Sequence, residues 1–121
     1  MKAFVNGRLN AIPAVWNGFV LLFQEQAFRL MVCHHLLLAI FAYNISVTLN
    51  RGIILLAISL FSLSFEALNS TVEDICDFIH PKKNEHIKRI KDISAAAAFL
   101  AQAICAVPAS WTIIYLEYTG Q

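Results

Sequence analysis

Long runs of this chain carry no Asp, Glu, Lys or Arg. Among them are Leu30–Asn50, twenty-one residues, Gly52–Phe65, fourteen, and Ile93–Leu116, twenty-four. No other feature constrains the fold as strongly. A helix rises 1.5 Å per residue, so about 20 apolar residues cross a hydrocarbon layer roughly 30 Å thick. Runs this long satisfy their backbone hydrogen bonds inside lipid by becoming helices. The composition points the same way: 59% of the 121 residues are hydrophobic and 14% are charged, against about 25% charged in an ordinary soluble domain. A soluble domain this small has too much surface to cover with so few polar groups. One domain of an all-α membrane protein is expected. The net charge of +1 gives no reason for bulk nucleic-acid binding, and no nucleic-acid partner is expected. Cys33, Cys76 and Cys105 lie far apart in apolar surroundings and form no CxxC pair. Neither a zinc site nor a disulfide framework is indicated.

Residues 1–24 read differently. Leu9, Ile12, Trp16, Phe19 and Phe23 recur at helical spacing, with Asn10, Asn17 and Gln24 on another side. This is an amphipathic helix expected to lie on the membrane surface, with Trp16 as an interfacial residue and Pro13 able to kink it. Asn6, Arg8, Asn10 and Asn17 stand where a cleaved leader would have its apolar core. No such leader is expected, and the first spanning helix serves as its own insertion signal. Spans are expected at 27–49, 52–79 and 92–117, with a loop at 80–91. Asn44–Asn50, with Arg51 and Gly52, reads as the turn between the first two. Pro81 stops the second helix, and Pro108 is expected to bend the outer half of the third. Ser94 and Ala95–Ala98 give that third helix a small-residue face suited to close approach. Trp111, Tyr115 and Tyr118 form an aromatic belt at its far end. The adjacent His34 and His35 point about 100° apart. They cannot share a metal from one helix face and read as neutral, hydrogen-bonded residues. The loop is basic through Lys82, Lys83, Lys88, Arg89 and Lys91, while Arg51 is the one basic residue of the opposite side. The positive-inside rule therefore puts the amino terminus and this loop in the cytoplasm and the carboxyl terminus outside.

The Gly52–Phe65 run becomes acidic without a break. Glu66, Asn69, Glu73 and Asp77 fall at i, i+3, i+7 and i+11, on one narrow helical stripe. Asp74 lies about 80° to the side. If hydrocarbon begins near Gly52, Glu66 lies about 21 Å along, inside the layer near its far edge. A carboxylate there needs a partner, and a cation is the natural one. Glu25 and Arg29, at i and i+4, have the spacing of a helix-surface ion pair. The alternative is that Glu25 adds a carboxylate to the membrane face that carries Glu73. Lys91 and Asp92 join the same edge. Carboxylates beside lysines suit a magnesium–phosphate ligand, because Mg2+ takes one or two carboxylates and completes its shell with water and substrate phosphates. Phosphoryl transfer needs charge neutralisation and alignment more than covalent chemistry. The chain has no GxxxxGK[ST] motif and, with four glycines, no Gly-rich kinase loop. A non-catalytic channel or scaffold, with acids along a cation path, is the competing class. Acids at one end, with none between Gly52 and Phe65 or in the Leu30–Asn50 and Ile93–Leu116 runs, speak against a path.

The run Glu66-Ala67-Leu68-Asn69-Ser70-Thr71-Val72-Glu73, then Asp77, then Lys91-Asp92 after a basic loop, resembles the small bacterial integral-membrane diacylglycerol kinase family. Close relatives in that family phosphorylate undecaprenol. Glu25-Gln26-Ala27-Phe28-Arg29 resembles its E-x-A-F-R block, and Arg8 with Trp16-Asn17-Gly18 resembles the R and W-K-G of its surface helix. The resemblance covers nearly the whole chain. It implies a homotrimeric helix bundle in the bacterial cytoplasmic membrane, each subunit with three transmembrane helices and an amphipathic surface helix. It implies transfer of the γ-phosphate of Mg-ATP to the hydroxyl of diacylglycerol, or of undecaprenol, at sites shared between subunits. Position by position, it implies Glu66 as the general base and Glu25 and Glu73 as holders of the divalent cation. Lys91 would meet the transferring phosphate, and Asn69 would orient the lipid or the base. Arg8, Glu25, Glu73, Asp77, Lys82, Lys83, Asn84, Lys91 and Asp92 would contact ATP. Arg8, Trp16, Phe28, Arg29, Glu66, Asn69 and Ala95 would contact the lipid. Asn17 replaces the family's usual basic residue, Met31 a frequent acid and Ser94 a common glycine. Gly18 to Glu25 is one residue shorter than in the best-known members.

Overall fold

The structure, a computed structural model, describes residues 2–82 and 84–120, with side chains from residue 12 onward. It contains α1 (Lys2–Leu22), α2 (Gln26–Asn44), α3 (Leu49–Ile79), α4 (Glu85–Phe99), a π-helical segment (Leu100–Ala106) and α5 (Val107–Tyr118). Among the described residues there is no strand. Three helical stretches are long and apolar enough to cross a membrane: α2, α3 and the continuous Glu85–Tyr118 rod made of α4, the π segment and α5. At 31 residues, α3 is about 46 Å long and overshoots the hydrocarbon layer. Large apolar side chains such as Leu36, Leu37, Ile53, Leu56, Leu60 and Ile104 point outward on these helices. A surface this apolar is a liability in water and ordinary in lipid.

The core lies at the end away from the acidic stripe. Leu38 and Ala42 of α2, Leu55 of α3 and Ile114 of α5 are buried together, flanked by Ile45, Val47 and Ile113. Above it, the α2–α3 turn is tighter than the Asn44–Gly52 stretch suggests. Only 45–48 leave the helical path, so Asn50, Arg51 and Gly52 already belong to the first turn of α3. Ser46 takes a left-handed φ of 57°. Val47 N–H donates back to Ala42 and Ser46 N–H to Tyr43. Thr48, at the N-cap, donates its backbone N–H to Glu117 Oε1 at 3.0 Å, and Arg51 pairs with the same carboxylate. A side chain 69 residues away thus supplies an acceptor for a free N–H group at this helix start.

α1 runs through Pro13 without a break and ends at Leu22, two residues short of the expected Gln24. Phe23–Glu25 tighten into turns, with Gln24 N–H bonded to Leu21 and Glu25 N–H to Leu22. Near the other terminus, Pro108 has no N–H to give Ile104 four residues back. The helix answers by widening: Val107 N–H donates to Gln102, five residues back, and Leu100–Ala106 becomes π-helical. π turns inside α-helices are rare and local. His34 and His35 stack edge to face at 5.3 Å. The expected hydrogen bonds of His34 Nε2 and of both His35 ring nitrogens are not made among the described residues. His35 is buried with both ring nitrogens unpartnered, because its neighbours across the α2–α3 groove are mostly aliphatic.

Candidate active site

The site is built on a helical hairpin in which α3 packs on α4 and the π segment. The reversal is set by Asn84, whose side-chain oxygen caps α4 by accepting from His86 N–H (2.8 Å) and Ile87 N–H (3.4 Å). An N-cap Asn satisfies donors that the first helical turn leaves free. Three polar pairs then join the two arms. Asp77 and Lys91 each stand seven residues from Asn84, Glu66 and Gln102 eighteen, Arg51 and Glu117 thirty-three. One antiparallel register thus serves both ends of the hairpin and a point between them.

Glu66 is 6% exposed, and its Oε2 accepts from Gln102 Nε2 at 2.7 Å. A donor to a carboxylate makes a stronger bond than one between neutral groups. One turn on, Asn69 Nδ2 donates to Glu73 Oε1 at 3.0 Å, and Asn69 Oδ1 is buried without a partner. Glu73 is exposed, and its other oxygen is uncommitted. Farther toward the loop, Lys91 Nζ reaches Asp77 Oδ1 at 2.6 Å. Lys91 stands ahead of the charge-free run, outside its spanning part. The Asp77 hydrogen bond, with the negative charges of Asp77 and Glu73, holds its ammonium above the usual lysine range, so it stays cationic. Beyond this pair opens a cleft of about 500 Å³, lined by Asp77, His80, Lys82, Asn84, Lys88 and Lys91 among others. It mixes both signs of charge and has room for a polyanion.

Glu66, Asn69, Glu73, Asp77, Lys91, Asn84 and Lys82 therefore follow one another along one side of the hairpin. Other residues expected at the site stand apart. Glu25 lines a separate crevice of about 460 Å³ between α1 and α3, which it shares with Ser70, Thr71 and Asp74 and not with Glu73. No group of three or more His, Cys, Asp or Glu is gathered for a metal among the described residues. An exposed Glu73 with a free oxygen still meets the small protein contribution that Mg2+ asks for. The expected ion pair of Glu25 and Arg29 does not form. Glu25 is the N-cap of α2, with extended backbone, so the two side chains are not one helical turn apart on a helix face. Arg29 turns instead to the Phe23 carbonyl, at 3.5 Å. Phe28 is buried against Phe23, ring edge to face at 5.5 Å. Trp16 is exposed on α1, and Asp92 and Ala95 are exposed on α4. Lys83 and the side chain of Arg8 lie outside the described residues.

Gln102 and Glu117 were not among the expected site or partner residues. Gln102 is the one amide of the Ile93–Leu116 run, and it stands eleven residues from Lys91, as Glu66 does from Asp77. Those equal spacings are the signal that the third helix answers the stripe on the second.

The family model for prokaryotic diacylglycerol kinase matches residues 14–115. A diacylglycerol kinase of Pseudomonas aeruginosa is 31% identical over 109 residues, which cover 89% of this chain and 87% of that protein. No solved structure matches the chain.

Proposed function

Because the chain belongs to the prokaryotic diacylglycerol kinase family, we propose that it is a membrane lipid kinase, transferring the γ-phosphate of Mg-ATP to the hydroxyl of diacylglycerol to give phosphatidic acid. The observation that carries this reading is the placement of Glu66. It is a buried carboxylate at the lipid-ward limit of a polar face that continues through Asn69 and Glu73 to the Asp77–Lys91 pair. A diacylglycerol hydroxyl sits at headgroup depth, and Glu66 lies where such a group would enter from the lipid.

In this mechanism Glu66 accepts the hydroxyl proton as the lipid oxygen bonds to the γ-phosphorus. The bond from that phosphorus to the bridging oxygen breaks, and ADP leaves with the electron pair. Asn69 Oδ1, buried and unpartnered, offers the hydroxyl a second acceptor and helps orient it. Lys91 neutralises charge on the transferring phosphoryl group and is held for this by Asp77. As the family resemblance implies, Arg8, Glu25, Lys82, Lys83, Asn84 and Asp92 would contact the nucleotide, and Arg8, Trp16, Phe28, Arg29 and Ala95 the lipid. Glu73 would hold Mg2+, which supplies charge neutralisation at the phosphates, and Glu25, in a separate crevice of its own chain, would join it across a subunit boundary. The protein works in the cytoplasmic membrane, with its amino terminus inside and its carboxyl terminus outside. It assembles as a homotrimer, which gives the wide apolar faces of α2, α3 and α5 neighbours and lets sites be completed between subunits.

The test is lipid-dependent ADP release by purified protein with Mg-ATP, comparing diacylglycerol with undecaprenol and taking Glu73→Gln as the blank. Release with diacylglycerol supports the reading. Release with undecaprenol alone moves the acceptor to a polyprenol and keeps the chemistry. Release with neither, from folded protein, removes it.

A further inference from the structure

The geometry points to Gln102 as the positioning residue of Glu66, a role that rests on the reading of Glu66 as the base. An amide inside a run of twenty-four residues without charge is expensive in lipid unless it is satisfied. Gln102 is satisfied by one partner of consequence: its Nε2 donates to Glu66 Oε2 at 2.7 Å, from the π segment across to α3. Binding one oxygen to an amide fixes the carboxylate plane. The other oxygen, Oε1, is left as the acceptor that faces the substrate.

The backbone is arranged to hold this donor. Gln102 lies within the π-helical Leu100–Ala106, and its own carbonyl takes the Val107 N–H. Pro108, unable to donate, is the local cause of the wide turn. The side chain of Gln102 is therefore anchored at its backbone by Val107 and at its tip by Glu66. The flanking Asp77–Lys91 and Arg51–Glu117 pairs keep the two arms in the register at which the amide meets the carboxylate. A glutamine present only to fill space needs none of this.

Gln102→Met keeps the length of the side chain and removes its donors, and Gln102→Leu does so with a different shape. The measurement is kcat and KM for Mg-ATP and for diacylglycerol in mixed micelles, with thermal melting and elution volume in the same detergent. Both variants should elute and melt like the parent protein. Their kcat should fall by roughly ten- to a hundredfold, the rate equivalent of one charge-assisted hydrogen bond. Each KM should stay within about twofold, the pattern of an interaction that matters in the transition state. Combined with Glu66→Asp, whose carboxylate is drawn back from the amide, Gln102→Met should add little further loss. A folded Gln102→Met enzyme with unchanged kcat, or a loss carried by KM alone, overturns the positioning role. A full additional loss in the double variant does the same, since a structural effect is indifferent to the base. Glu66→Gln, run alongside, separates the two claims. Full turnover there overturns both, whereas a dead Glu66→Gln beside a fully active Gln102→Met overturns the role of Gln102 alone.

Discussion

In the proposed mechanism Glu66 takes a proton from a hydroxyl that arrives from lipid, a role that calls for a dry carboxylate held in a fixed plane. Its side chain is buried among helices while one oxygen keeps an amide donor. Glu66→Gln should therefore abolish lipid-dependent ADP release while the helices, as read by circular dichroism, are retained. Full activity in that variant would remove the mechanism. Lys91 plays the opposite part, as a retained cation beside two acids. Lys91→Ala should slow transfer markedly with membrane insertion intact. Unchanged turnover with failed insertion would leave Lys91 as a topology signal and nothing more. The acidic stripe from Glu66 to Asp77 was legible in the sequence because a helix repeats on its own period. Its partners were not. No local rule joins residue 66 to residue 102, and the ion pair read between Glu25 and Arg29 failed because residue 25 caps a helix instead of sitting in one.

At the scale of elements, two spanning helices could be read from charge-free length alone and the other from a fourteen-residue run that its acidic stripe continues on the same helix, and among the described residues three helices are able to cross. Their ends were harder. The α2–α3 turn closes three residues early because Glu117, a residue from the last helix, meets Thr48 and Arg51. Pro108 was expected to bend the third helix. It coincides with a change of helix type just before it, since widening the turn accommodates a missing donor without ending the helix. This makes Pro108→Ala informative. A restored N–H at 108 can bond Ile104, removing the reason for the π turn and moving Gln102 away from Glu66. The expected outcome is a span that still inserts, greater protection of the amides around 104–108 in hydrogen exchange, and a kcat lower by roughly tenfold or more. Unchanged exchange and unchanged kcat would mean that the π turn has another origin.

Across the whole molecule, the candidate site and the opposite end are parts of one long hairpin. The Arg51–Glu117 pair closes it far from Glu66, against the small core of Leu38, Ala42, Leu55 and Ile114. Removing one partner takes a charge-assisted hydrogen bond from the other. Arg51→Gln or Glu117→Gln should lower stability by about 1–2 kcal/mol, read as earlier thermal melting in detergent, while kcat at low temperature is nearly kept. Equal melting would show that the pair is ornamental. The same hairpin sets a rule for changes in chain length. Both arms count outward from Asn84, so a residue gained in one arm is a debt in the other. An alanine inserted after Ile58 should pull Arg51 out of step with Glu117 by one residue and loosen the far end. A second alanine inserted after Ala109 should bring it back into step by count. Count is not facing, however: one residue turns a helix by about 100°, so the pair should close again only when each arm gains seven alanines, about two whole turns, as with matched lengths of teeth added to both sides of a zip.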